Sequence, residues 1–493
     1  MKNLLFVIVL LCASNASLIA QNVFVEREYW AKKPTIEAIK QKMAEGHNLL
    51  ELKPGGFDGP MWAVMEDCDF ETIKFIFDQP GIDFTAATLH HANNYLMWTT
   101  YKGNLPVMKL LLAKGSKTDI INSHGQSLLM HAAMSGKADP AIYEFCLQNG
   151  GDMLKDKDKD GRNAMLTAIG YLKDVSFLDF FLKKGLNITD TDNKGNGLFH
   201  YATVSGNLNV LKGLVAMGVS YAPNKEGDNA LSFVGRGRGQ KVSAELFQYL
   251  TSLGLDPKTT FSTGQTLAHT AARMGFDSSA LQFIAESGLN LGQADKDGNT
   301  PLMLAAYRGD MASVKYWLAK NEVNAVNNKG QSALLNAVAY NKPEIVKFLL
   351  EKGAKANLTD GEGHNLIHNL VSSYRKGKNS LQRAMELMDL LKTSGVDVKK
   401  SGLLLHAALD KDDNDLFTKL MEMGQDINAK DSDGYTVLHY ASMKAKNIDL
   451  VKFLVAKGAD SSINTPLDES VSDLIAANEV LGKQNSNLDF LKK

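Results

Sequence analysis

The sequence predicts an all-α solenoid: about twelve stacked helix-turn-helix units joined by hairpin turns, with a cap at each end. Three observations predict it. The first is a recurring Gly-centred polar turn followed by an apolar residue and then by small residues. It is seen in SHGQSLLMHAAMSGK (123–137), STGQTLAHTAARMGF (262–276), DKDGNTPLMLAAYRGD (295–310) and SDGYTVLHYASMKAK (432–446). The second is a short amphipathic stretch that ends at Gly, as in VMKLLLAKGS (107–116), VLKGLVAMGV (210–219), IVKFLLEKGA (345–354) and LVKFLVAKGA (450–459). Such stretches predict helices with left-handed C-caps. The third is spacing. The core apolar position falls at Leu129, Met165, Phe199, Leu231, Ala268, Leu302, Leu334, Ile367, Leu405 and Leu438, a mean step of about 34 residues, in the range of helical repeat proteins.

Taken in chain order, the first segment stands apart. Lys2 and the apolar run LLFVIVLLCA (4–13), followed by small residues, predict a secretory signal peptide over 1–20, with cleavage after Ala20 or, second, after Ala16. Cys12 follows Leu11 rather than a small residue, which disfavours lipidation. Residues 21–56, with IEAIKQKMAEG, read as an N-terminal capping half-repeat. The array runs over 57–463 without a Pro- or Ser-rich linker, as one uninterrupted solenoid. Residues 464–493, with TPLDESVSDLIAANEVL, read as a C-terminal capping repeat. Terminal repeats are atypical because one face of each meets water.

Within each unit the small pairs, such as Ala132 and Ala133 or Ala305 and Ala306, allow close helix packing, and Pro301 suits a first helical turn. The motif D-G-x-T-P-L at 297–302, G-A-x-x-N at Gly353–Asn357 and the His before the small residues resemble the ankyrin-repeat family. The likeness covers almost the whole mature chain, and it looks like an exported, signal-peptide-bearing member of bacterial type. It implies that His200, His269, His368, His406 and His439, which share one register position, are hydrogen-bonding ties between repeats rather than a metal ladder.

Composition narrows the function. Lys+Arg is 54 against Asp+Glu 55, a formal net charge of −1, so there is no global pull on nucleic acid or anionic membrane. Beyond the leader no stretch reaches the roughly 18 apolar residues of a membrane helix. DKDKDG (156–161) opens like a calcium loop but has Thr167 at position 12 in place of the bidentate Glu. It falls on the hairpin-turn register, so no metal is expected. Cys68, in a turn, and Cys146, on an outer helix two repeats later, are expected to be free thiols, because their separation exceeds disulfide reach. Neither H-E-x-x-H, G-x-S-x-G nor a P-loop occurs. The chain reads as a non-enzyme with no cofactor.

VGRGRGQK (234–241) invites a phosphate-loop reading, but a phosphate loop opens a helix onto its ligand. Register makes this stretch an expanded inter-helix turn. It is matched four repeats later by SSYRKGKNSLQR (372–383). Arg236, Arg238, Arg375, Lys376 and Lys378 are expected on a basic rim along one edge. The resemblance implies contact positions beside the turn Gly and at the end of each inner helix. These map to Tyr101, Lys102, Arg273, Met274, Lys296, Asn299, Tyr307, Arg308, Lys329, Gln331, Tyr340, Tyr435 and Lys444. The expected function is a periplasmic or secreted scaffold that binds a protein partner through a concave face and hairpin tips. The alternative is an exported effector aimed at a host or neighbouring cell. A monomer is expected, with no nucleic-acid partner and no membrane insertion after signal removal.

Overall fold

Paired helices recur through both parts of the chain. The computed structural model describes residues 22–491 apart from 53–55, 88, 238–241, 378, 412 and 484–486. The leader assigned to 1–20, Arg238 and Lys378 lie outside the described residues. The chain divides into two units, Met1–Glu226 and Gly227–Lys493.

In the first unit the inner helices are Gly59–Met65, Tyr95–Lys102, Leu128–Met134, Ala164–Ala168 and Leu198–Ser205. Their outer partners are Phe70–Phe77, Leu105–Ala113, Pro140–Gln148, Leu178–Lys183 and Leu208–Ala216. Ile36–Ala44 precedes them. Trp30 closes this end, fully buried, with its indole nitrogen donating to the Phe24 carbonyl at 2.9 Å.

In the second unit a 3-10 turn, Ala230–Phe233, pairs with Ala244–Ser252. Next come Leu267–Met274 with Ser278–Glu286, Pro301–Arg308 with Met311–Leu318, and Ala333–Ala339 with Pro343–Glu351. Leu366–Ser373 with Ser380–Thr393, Leu404–Ala407 with Asn414–Glu422, and Val437–Lys444 with Asp449–Ala456 follow, then Val471–Ala477. Among the described residues there are isolated bridges, such as Val326 with Ser332, but no strand.

Local chemistry explains many of the helix starts. Ser332 Oγ accepts from Leu335 N at 3.1 Å, and Asp277 Oδ1 from Ala280 N at 2.8 Å, so side chains satisfy amides that the helix leaves open. Ala305 and Ala306 are fully buried, as are Ala132 and Ala133. These small faces bring neighbouring inner helices together.

The hairpin tips are built alike. Asp295 donates its N–H to Asn299 O at 2.9 Å, and its Oδ1 accepts from Asp297 N at 3.0 Å and Asn299 N at 2.8 Å. Successive tips are then stitched together: Asn328 N donates to Asp297 O at 2.9 Å and Gly361 N to Lys329 O at 2.8 Å. DKDKDG is one of these tips. Asp158 Oδ1 accepts from Asp160 N and Arg162 N, both at 3.0 Å, and its Oδ2 from Arg162 Nε at 2.6 Å. The carboxylate is therefore committed to the turn.

The stitching leaves no room at Gly330. Its φ is +69°, and a Cβ there would lie 2.7 Å from Gly361 N and 2.8 Å from the Asp360 carbonyl carbon. Gly330→Ala should lose about 1–2 kcal/mol to left-handed strain and a further ~1–3 kcal/mol to the displaced backbone. Thermal denaturation of the variant checks this, and an unchanged melting temperature would show that the tips are not held rigidly together.

Four of the register histidines also tie neighbours, and His200 caps its own helix. His269 Nδ1 accepts from Thr266 N at 3.1 Å while Nε2 bonds Asn299 O at 3.1 Å. His406 Nε2 bonds Tyr435 O at 3.2 Å, and His439 Nε2 bonds Ile463 O at 2.8 Å. His368 does the same through Nδ1, to Ser401 O at 3.0 Å. His200 Nδ1 accepts from Gly197 N at 3.3 Å. Cys68 and Cys146 are free and buried. Burial pushes their thiols up, to about 11 and about 12.

Both expected insertions differ in detail. At VGRGRGQK the inner helix shrinks to the 3-10 turn because Gly235 follows at once, with φ +77° and Phe276 packed where a Cβ would go. Arg236 lies over the Phe233 ring at 4.5 Å. At 372–383 only the first half is a turn. Ser380 already opens the outer helix, whose Ala384, Leu387, Met388 and Leu391 are buried at helical spacing.

Candidate functional site

A groove of about 680 Å³ opens in the second unit. Its walls come from the inner helices Pro301–Arg308, Ala333–Ala339 and Leu366–Ser373, with Asn299 and Gln331 of two hairpin tips at its border. Tyr307 and Tyr340 stand in it with ring centroids 4.1 Å apart and interplanar angle 57°, and each is 47% exposed. A hydrogen bond with Tyr307, then burial, then the charge of Tyr307 push the Tyr340 phenol up to about 12, against the opposing pull of Arg375.

The 372–383 turn supplies the other wall. Tyr374 points inward and is buried, its hydroxyl donating to Asp413 Oδ2 at 2.6 Å and lying 3.2 Å from Ser380 Oγ. Burial, then the bond to Asp413, raise that phenol to about 12. The anchor holds the next residue, Arg375, at the groove, where Arg383 and Lys411 also line the surface. Among the described residues, no Asp or Glu lines the groove.

Asn299, Tyr307, Gln331, Tyr340 and Arg375 are thus brought to one place. The tip amides are ordered by their neighbours: Asn327 Nδ2 donates to Asn299 Oδ1 at 2.8 Å and to Gln331 Oε1 at 3.0 Å. Lys296 and Lys329 have exposed side chains on stitched tips but do not line the groove. Arg236 and Lys376 are not among the lining residues either.

Two predicted contact residues have structural partners instead. Lys102 Nζ, in the first unit, donates to Met65 O at 2.9 Å and pairs with Asp67 at 2.8 Å. Arg308 Nη1 donates to the carbonyls of Met274 and Arg273. The polar backbone of Arg273 and Met274 is engaged in the same contact. Lys411 Nζ likewise donates to Ser372 O. All three cations sit at the end of an inner helix and close the carbonyl end of the preceding one, where positive charge is favoured. Lys411 falls on the same register position as Arg308 and Tyr340, so the repeat pattern alone was enough to find it. Arg383 had no such signal.

The remaining positions lie elsewhere. Tyr101 meets Trp98 edge-on at 5.6 Å in the first unit. Tyr435 lies 5.6 Å from Tyr440, and the Lys444 ammonium sits 5.0 Å over the same Tyr440 ring. Tyr440 is in turn fixed by its hydroxyl bond to Asp431 Oδ2 at 2.7 Å.

Residues 268–360 and 375–484 match the family model of ankyrin repeats in three copies. The second unit carries ankyrin repeats. Both ankyrin matches fall in the second unit and enclose most of the groove. Over 178 residues the chain is 29% identical to the B-cell lymphoma 3 protein homolog of Mus musculus, covering 34% of this chain and 38% of that protein. It is 22% identical over 377 residues to the E3 ubiquitin-protein ligase KEG of Arabidopsis thaliana, covering 72% of this chain and 20% of that one. The palmitoyltransferase AKR1 of Lachancea kluyveri is 28% identical over 197 residues, 39% of this chain and 26% of that protein. The chain therefore spans between a fifth and two fifths of the length of these relatives. Among solved structures, the human ASB11 ankyrin repeat domain is similar at 26% identity and a TM-score of 0.36, covering 44% of this chain and 96% of that one.

Proposed function

We propose that this ankyrin array is a non-catalytic scaffold whose second unit receives a segment of a partner protein in the Tyr307–Tyr340 groove. The observation that carries the reading is the exposed, closely packed tyrosine pair inside a preformed groove, in a chain whose repeats are of a protein-binding kind. Aromatic side chains that remain exposed on a rigid concave surface are the type enriched at interface hot spots. The Lys2–Ala20 segment supports action outside the cytoplasm, in the periplasm or beyond the cell.

Affinity capture with the purified chain tests the reading. Tyr307→Ala with Tyr340→Ala should reduce partner recovery at least tenfold, the size expected for two interface anchors at about 1–2 kcal/mol or more. Equal recovery with both proteins would move the docking surface elsewhere. Arg308 is left intact because its guanidinium closes a neighbouring helix.

A further inference from the structure

We infer that the groove is selective for an acidic, extended segment of a partner protein, and that Arg375 and Arg383 are what make it so. The inference rests on the groove being a docking surface and adds the chemistry of what docks.

Charge is the first observation. The chain as a whole carries 54 basic and 55 acidic side chains. The groove departs from that balance: among the described residues Arg375, Arg383 and Lys411 line it and no carboxylate does. Two nearby acids are turned to other tasks. Asp413 accepts from Tyr374, and Asp360 accepts from Asn369 Nδ2 at 2.9 Å. The cations also act on one another. Burial pulls the Lys411 ammonium below its usual range and Arg375 adds to that pull, with Asp410 opposing both. A carboxylate placed between Arg375 and Lys411 relieves the repulsion, and guanidinium groups donate to carboxylates in bidentate fashion.

Extent is the second observation. The lining runs from Tyr307 through Tyr340 and Arg375 to Lys411, across four successive inner-helix positions. Packed helices stand roughly 8–10 Å apart, so the groove is on the order of 25–30 Å long. An extended chain covers about 3.3 Å per residue, which makes the occupant a segment of about eight residues rather than a single anion. Two exposed tyrosine rings at one end and cations at the other suit a segment with an apolar residue followed by carboxylates. A nucleic acid strand is the poorer fit, because three cations neutralise only about three phosphates and release few counterions.

Fluorescence anisotropy on the full chain tests this with three labelled probes. These are a ten-residue peptide holding Leu and four Asp or Glu, the same peptide with Asn and Gln in their place, and a ten-nucleotide oligothymidylate. The acidic peptide should bind at least tenfold more tightly than its amide counterpart, and less tightly as salt rises. Arg375→Glu with Arg383→Glu should weaken it tenfold or more, whereas Arg236→Glu, outside the groove, should leave it unchanged. Arg375→Ala, on an exposed turn, should give part of the loss with an unchanged melting temperature, which separates charge from folding. Equal binding of the acidic and amide peptides, both lost in Tyr307→Ala with Tyr340→Ala, would overturn the charge selectivity and leave the docking surface standing. No binding of the acidic peptide at millimolar concentration, tighter binding of the oligonucleotide, or indifference to Arg375→Glu with Arg383→Glu would each overturn the inference.

Discussion

Replacing Trp317 by alanine should destabilise the second unit by about 3–5 kcal/mol, the range for emptying a large aromatic from a packed interior. Trp317 is fully buried on the outer helix Met311–Leu318, edge-on to Tyr316 at 4.9 Å. Its indole N–H has no hydrogen-bond partner among the described residues. The ring is therefore held by contact area, and Trp317→Phe should lose far less, about 1–2 kcal/mol. Urea unfolding followed by far-ultraviolet circular dichroism separates the two. Equal losses for the alanine and phenylalanine variants would mean that the volume of this ring is not what holds the helices together.

Acid should weaken the first unit well before its carboxylates protonate. His131 is buried on the inner helix Leu128–Met134 with Nδ1 on Ser127 O at 3.0 Å and Trp98 6.3 Å away edge-on. Burial pulls its imidazole from 6.5 down to about 4, the bond to Ser127 opposing. The folded state keeps this ring neutral while the unfolded chain protonates it below about 6.5. Stability is then complete above that pH and falls as pH drops towards 4, by about 2 kcal/mol at pH 5 and about 3 at pH 4. Asp58 acts in the opposite sense. Burial raises its carboxyl despite the bond from Tyr95, so lowering the pH through its range recovers stability there. His269, His368 and His406 are pulled down by burial as well, so the second unit shares the trend. Trp30, Trp62 and Trp98 lie in the first unit and Trp317 in the second, so tryptophan fluorescence in urea at pH 7 and pH 5 reports mainly the first. In His131→Gln the difference between the two pH values should shrink by about 2 kcal/mol. A full difference in that variant would place the acid sensitivity on another group.

The repeat was readable in the sequence because every signal that defines it is local. A turn glycine, a capping side chain and an apolar face lie within one unit, and recurrence in register confirmed each against the others. The tips carrying Asp158 and Asp295, the free thiols of Cys68 and Cys146 and the interhelical turn at Gly235 followed from that register. What escaped depends on the neighbour. Lys102 and Arg308 look like free surface cations until the carbonyl end of the preceding helix is placed beneath them. Arg375 looked like part of a rim because nothing in SSYRKGKNSLQR says that Tyr374 turns inward to reach Asp413, a residue of the next repeat. The early start of Ser380–Thr393 was visible in principle, since Ala384, Leu387 and Met388 already keep helical spacing. The expectation of one longer loop overrode it.

The helix-closing side chains all reach the same way. Lys102 serves Met65, Arg308 serves Arg273 and Met274, Lys411 serves Ser372, and Asn478 Nδ2 serves Ser442, Met443 and Ala445. In every case the donor is the later residue and the acceptors are the earlier ones. A chain made from its N-terminus therefore leaves each of these four inner helices with a bare carbonyl end until the following repeat has emerged. Growth has an arrow: completion of one layer waits on the synthesis of the next. A chain cut short at its C-terminal side ends on an unsealed layer, while one shortened from its N-terminal side loses no seal that its remaining layers need.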